Sequence, residues 1–203
     1  MKTMKSIFFT LVALVSFNAL HAQKGVTKLG VDYSVALPSG SFKNVVNNSS
    51  FRGWSIDVLH GVNNKLQLGI GVGFQDFYQK NDRQVYHTGD GQDISAVLTH
   101  YIQTVPILAK ARYAFTEGGV QPYIGLGAGG NLVMFREMLG EFGETQSFFK
   151  FALRPELGVQ IPIARGAGLH LAAAYNYLPF DKYEIRNFNN ISLSAGIAIP
   201  LRR

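Results

Sequence analysis

Leu66-Gln67-Leu68-Gly69-Ile70-Gly71-Val72-Gly73-Phe74-Gln75 places an aliphatic or aromatic side chain at every even position and glycine or glutamine at every odd one. A strand repeats every two residues and a helix every 3.6, so this stretch has two distinct faces only as a β-strand. One face is continuously apolar. The other carries almost no bulk.

The same alternation recurs on both sides of that stretch. Residues 27–37 set Leu29, Val31, Tyr33, Val35 and Leu37 against Lys28, Gly30, Asp32, Ser34 and Ala36. Residues 51–62 set Trp54, Ile56, Val58 and His60 against Ser55, Asp57 and Gly61. Further on, residues 100–115 oppose Val105, Ile107 and Tyr113 to Thr104, Leu108, Lys110 and Arg112, and residues 120–135 oppose Ile124, Leu126 and Leu132 to Tyr123, Gly125, Gly127 and Asn131. Strand six, from Phe149 to Ile163, sets Phe151, Leu157 and Val159 against Lys150, Arg154, Glu156 and Gly158. Residues 169–177 and 191–201 complete eight strands.

Connections between the runs are alternately long and tight. Asn63-Asn64, Glu117-Gly118-Gly119 and Arg165-Gly166 are turn sequences. The segments 38–50, 76–99, 136–147 and 179–187 are polar and read as surface loops. Long loops on one side and short turns on the other, with apolar strand faces, predict an all-β, eight-stranded antiparallel up-and-down transmembrane β-barrel. A soluble barrel has the same period but needs lysine, glutamate and threonine on its wet face; here that face is mostly glycine, alanine and serine, which suits a narrow lumen. An even strand count places both termini on one side, the periplasmic side, with the four long loops extracellular.

The first residues stand apart. Lys2 and Lys5 precede the apolar stretch Ile7 to Val15, and Leu20-His21-Ala22 offers a cleavage site, so residues 1–22 read as a secretory signal peptide and 23–203 as the barrel domain. The stretch is too short for a membrane-spanning helix, and nothing later reaches the roughly 18 apolar residues one needs. The formal charge is +6, or +4 once those two lysines are subtracted, and the basic residues are scattered singly, which is no nucleic-acid signature. Without cysteine, disulfides and thiolate metal sites are excluded. Aromatics near strand ends predict two interfacial girdles: Trp54, Phe77, Tyr101, Phe135, Phe149 and Tyr177 toward the outside, and Tyr113, Phe115 and Tyr123 toward the periplasm.

Leu37-Pro38-Ser39-Gly40-Ser41-Phe42 closing the first strand, Val105-Pro106-Ile107, and Pro122-Tyr123-Ile124-Gly125-Leu126-Gly127-Ala128-Gly129 after a tight turn resemble the small porin-like outer-membrane barrels. The chain is similar to the barrel of OmpA and to OmpX and OmpW, especially in their Bacteroidetes versions. The resemblance covers nearly the whole chain after residue 22. It implies a Gram-negative outer-membrane protein in contact with lipid and lipopolysaccharide, assembled by the barrel assembly machinery. Such barrels commonly finish on an aromatic residue read by that machinery, whereas this sequence finishes Ile199-Pro200-Leu201-Arg202-Arg203.

Inward charges are the nearest thing to a site: Lys28, Asp32, Asp57, Lys110, Arg112, Arg154, Glu156 and His170. Confined to a narrow lumen, charges of both signs are expected to pair, since an uncompensated buried charge is costly. Glu156, His170 and Ser194 lie inward on adjacent strands, but the hairpin at Arg165-Gly166 sets Glu156 opposite about residue 175, with His170 about 13 to 14 Å away, too far for a triad. Tyr78, Lys80, Arg83 and Tyr86 mix aromatic and basic groups in the longest loop and are candidate surface contacts. Asp82, Asp90 and Asp93 match no calcium-loop spacing. No cofactor or metal is expected. The expected function is a non-enzymatic scaffold presenting extracellular loops; the alternatives are a narrow pore or small-ligand barrel, and a lipid A-modifying enzyme.

Overall fold

The structure, a computed structural model, describes residues 25–87, 93–140, 142–164, 166–182 and 185–201. The expected signal peptide lies outside them. In chain order the elements are β1 (Thr27–Pro38), a 3-10 helix (Gly40–Asn44), β2 (Ser50–Gly61), β3 (Leu66–Lys80), β4 (Gln84–His87), β5 (Asp93–Ala96), β6 (Leu98–Ala114), β7 (Gln121–Leu139), β8 (Phe142–Ala164), β9 (Ala167–Asn176), β10 (Pro179–Lys182), β11 (Ile185–Asn187) and β12 (Asn190–Pro200). Eight of these strands close a barrel in the order β1-β12-β9-β8-β7-β6-β3-β2, and β1 pairs antiparallel with both β12 and β2. Closure leaves no sheet edge, as a strand structure in hydrocarbon requires.

Side-chain alternation turns directly into two surfaces. Val31, Ile56, Ile70, Ile107, Leu126, Phe151, Leu171 and Leu193, one from each barrel strand, are all exposed on the outer wall. Ile70 is 62% exposed, whereas its neighbour Gly71 is buried in the lumen. An apolar surface of this extent is unsuited to water and suited to lipid.

Local chemistry sets the tight turns. Asn63 Oδ1 accepts hydrogen bonds from the backbone N–H groups of Lys65 (2.9 Å) and Leu66 (2.7 Å), which closes the β2–β3 hairpin. Between β6 and β7, Gly118 and Gly119 take φ of 78° and 61°, left-handed values that a Cβ disfavours.

At the opposite end the connections differ from the loops expected at 76–99, 136–147 and 179–187. β4 pairs with β5, β10 with β11, and β7 and β8 stay paired out to Leu139 and Phe142, beyond the expected ends at 135 and 149. Arg136, Glu137, Gly143 and Glu144 are exposed and carry no apolar alternation, so the sequence reads as loop. Backbone pairing needs no such alternation and continues.

The first long connection folds inward instead of outward. Its 3-10 helix carries Phe42, and with Val46 this ring enters the barrel against Phe77, Ile102, Val133, Leu178 and Phe188. Phe42 meets Phe77 at 4.9 Å and Phe188 at 5.2 Å between centroids, both edge-to-face, an attractive geometry for aromatic pairs. The loop end of the lumen thus holds an apolar plug.

That plug corrects the expected girdles. Trp54, Tyr113, Phe115, Phe149 and Tyr177 are exposed, and Trp54 stacks on Phe74 at 6.3 Å. Phe77 is fully buried in the plug, Phe135 packs against it, and Tyr123 is buried in the lumen. Period two explains all three: Phe77 shares the face of Gly71, Gly73 and Gln75, while Phe135 and Tyr123 share the face of Gly127 and Asn131.

Candidate functional site

Below the apolar plug, toward the tight-turn end, buried charges and the hydroxyl of Tyr123 converge from six of the eight barrel strands. Asp57 on β2 accepts from Lys110 Nζ (2.6 Å) and Arg112 Nη2 (2.8 Å), both on β6. Glu156 on β8 lies 3.1 Å from Arg112, 3.6 Å from Lys110 and 3.7 Å from Arg154 Nε. It also accepts the hydroxyl of Tyr123 on β7 at 2.8 Å. Tyr123 bonds in turn to Nε2 of His170 on β9, whose Nδ1 lies 2.7 Å from Asp32 Oδ1 on β1. The Arg112 guanidinium sits 5.1 Å from the centre of the Tyr123 ring.

Three carboxylates therefore face three basic side chains, Lys110, Arg112 and Arg154, within one enclosed cluster, and every carboxylate has a partner. Each side chain would be costly alone, and mutual pairing removes most of that cost. Lys28 points inward at the tight-turn end but forms no ion pair among the described residues, so seven of the eight candidates come together and this one does not.

The two strands that add no member to the network add space. A Cβ on Gly71 of β3 would fall 2.2 Å from Asp57 Oδ1 and 2.8 Å from Lys110 Cδ. One on Gly196 of β12 would fall 2.3 Å from Asp32 Oδ1. One on Gly158 of β8 would fall 2.3 Å from the Tyr123 hydroxyl. These glycines are the sites where the network occupies the volume of a side chain, and van der Waals exclusion forbids both.

The expected separation of Glu156 from His170 is corrected by this geometry. Their ladder positions are indeed four residues apart, Glu156 opposite Ala174 and Gln160 opposite His170. Yet Glu156 Oε1 and His170 Nε2 stand 3.9 Å apart. The intervening inward residues, Gly158 and Ala172, are too small to keep the two side chains from leaning together. Ser194 still completes no triad, because Tyr123 and Asp32 occupy both ring nitrogens of His170.

Between plug and network the lumen narrows to a cavity of about 30 Å³ bordered by Ser34, Gln75, Thr104, Asn131, Arg154 and Ser192. That is room for a water molecule and not for a drug-sized ligand.

Of the loop candidates, Tyr78 is on the outer wall of β3, 5.0 Å from Tyr101 and under the Arg52 guanidinium. Lys80 and Arg83 are exposed. The side chain of Tyr86, like Asp90, lies outside the described residues. The alternation set Tyr123 on the small-residue face while the girdle expectation placed it outward, and Phe42 was missed as a lumen residue. The inward parity of Tyr123 with Gly125 and Gly127 was the available signal; nothing local marks Phe42.

A family model described as outer membrane protein beta-barrel domain matches residues 8–198. The chain belongs to this outer-membrane β-barrel family. Among solved structures, the barrel is similar to neisserial surface protein A, with a TM-score of 0.54 and 18% identity over 87% of this chain and 97% of that one. It is also similar to a major outer membrane protein from Thermus thermophilus, with a TM-score of 0.55 and 16% identity over 86% and 99% of the two chains. These likenesses concern the fold. No curated protein matches the chain.

Proposed function

We propose that this outer-membrane barrel is a sealed, non-enzymatic scaffold whose loop end presents contacts at the cell surface. The observation that carries the reading is the doubly closed lumen: the Phe42–Phe77–Phe188 plug lies over the Asp57–Arg112–Glu156 network, and a cavity of about 30 Å³ separates them. Eight strands enclose only enough space for side chains. In this reading residues 1–22 are removed on export, the barrel assembly machinery inserts the rest, and both termini face the periplasm.

Planar-bilayer recording tests the seal: the scaffold shows no steady openings, and a stable conductance replaces it with a narrow pore. Unchanged lipid A masses on overproduction are expected; altered masses replace it with a lipid A-modifying enzyme. Protease added to intact cells should cut between Tyr78 and Thr99. Protection there, with cleavage at the tight turns, inverts the topology.

A further inference from the structure

Toward the loop end, beyond Leu153, the wall of the barrel stops being closed. Leu153 and Tyr177 exchange backbone hydrogen bonds of 3.0 and 2.8 Å, the last ones between β8 and the strand that follows it. Leu178 then turns into the apolar plug, where its N–H donates to Asn189 Oδ1 at 2.8 Å, and β10 pairs with β11 instead of β8. β8 nevertheless stays paired with β7 out to Phe142. Residues 142–152 therefore have a bonded neighbour strand on one side only among the described residues. In an antiparallel strand the N–H and C=O of one residue point to the same side, and the side alternates along the chain. Since Leu153 bonds toward β9, Gly143, Thr145, Ser147 and Phe149 turn their backbone groups to the open side. All four are exposed. Proteins blunt free edges with proline or bulges, but residues 142–152 hold no proline and their ladder with β7 runs without a register shift.

Beside this edge, on the ribbon face that Phe135 shares, a recess of about 500 Å³ is walled by Phe135, Leu139 and Phe142 and holds Glu137 and Glu144. The two glutamates are direct cross-strand partners, and like charges so placed repel. Glu137 Oε2 lies 3.6 Å from His100 Nε2, and Glu144 accepts from Gln146 Nε2 at 2.6 Å, yet no lysine or arginine pairs with either among the described residues. A cation on an apolar stem fits such a recess.

We propose that the open side of β8 takes up an extended strand of another protein, anchored by a lysine or arginine of that strand in the Glu137–Glu144 recess. Backbone groups of Gly143, Thr145, Ser147 and Phe149 supply the ladder, and the two carboxylates select the side chain. A second copy in the same membrane does not supply this strand. Two such copies share an axis along the membrane normal, whereas setting two β8 edges antiparallel needs an axis across the strands, which would turn one barrel upside down. The proposal names a kind of partner for the surface scaffold, and access from outside the cell rests on that reading.

The test uses the full barrel refolded in detergent, with the peptide Thr-Val-Thr-Arg-Thr-Val-Thr as probe. Its arginine and valines share one face. Two relatives serve as comparisons: one with glutamate for arginine, and one with alternate backbone amides methylated on the edge that meets β8. The arginine peptide should bind, measured by fluorescence anisotropy, and should slow amide exchange at Thr145 and Ser147. The glutamate peptide should bind about tenfold more weakly, as should the arginine peptide to Glu144→Gln. Methylation should abolish binding. Ser147→Pro removes a donor that faces the open side, so the barrel should still fold, shown by its gel mobility before and after heating, while binding is lost. Slow exchange at Thr145 and Ser147 in the free barrel, no binding of the arginine peptide, equal binding of the glutamate or methylated peptide, or binding unchanged in Glu144→Gln or in folded Ser147→Pro overturns the proposal. Purified protein reports on the edge whichever way the loop end faces, so failure here leaves the sealed scaffold and its topology standing.

Discussion

Tyr123 on β7 lies nearly flat against His170 on β9, with ring centroids 5.6 Å apart and planes 16° from parallel, although β8 runs between their strands. The contact passes over Gly158, where a Cβ would meet the Tyr123 hydroxyl at 2.3 Å and the Leu171 carbonyl oxygen at 2.7 Å. Gly158→Ala should therefore separate the rings and lower stability by about 1–3 kcal/mol. Equilibrium urea unfolding in lipid measures this, and a cost below a few tenths would refute the role assigned to Gly158.

Asp57 holds two buried cations at once, Lys110 and Arg112. Asp57→Ala leaves them with Glu156 alone and should cost about 3–5 kcal/mol. By contrast, Lys65→Ala removes its pair with Glu117, whose side chains are 38% and 53% exposed, and should cost about 0–1 kcal/mol. The ratio of the two losses in parallel unfolding titrations is the check; equal losses would mean that the enclosed network has no special weight.

Phe42→Ala removes the ring at the centre of the apolar plug. A buried phenylalanine truncated in this way costs about 3–5 kcal/mol. Bilayer conductance should stay absent in this variant, because the Asp57–Arg112–Glu156 layer still closes the lumen. Openings in Phe42→Ala would show that the plug alone is the seal.

Ile70 sits at the middle of the outward row Leu68, Ile70 and Val72 on β3. Ile70→Arg should destabilise the barrel by about 2–4 kcal/mol in a bilayer, as for a charge at the membrane midplane. Lys80→Ala, at the exposed end of the same strand, should be nearly neutral. Refolding yield and urea midpoints in vesicles distinguish these outcomes.

Much of this molecule was legible one strand at a time. Period-two patterning assigned Ile70 to the wall and Gly71 to the lumen, and it named Asp32, Asp57, Lys110, Arg112, Arg154, Glu156 and His170 as inward. The turn chemistry of Asn63 and of Gly118-Gly119 was equally local. Ribbons without apolar alternation, such as residues 136–139, escaped notice because backbone pairing leaves no mark on side-chain choice. Phe77, Phe135 and Tyr123 were placed outward only by setting aside the parity that points them inward.

Alternation, turn residues and strand count are properties of near neighbours, so the chain by itself determined an eight-stranded barrel with an apolar wall and a small-residue lumen. Tertiary structure alone decided who meets inside. Closure brings β1, β2, β6, β7, β8 and β9 around one narrow axis, where side chains from non-adjacent strands touch. The joining of His170 to Asp32, of Glu156 to His170 through Tyr123, and of Phe42 to Phe188 depends on register and on the volume that glycines leave, neither of which is written in any single strand.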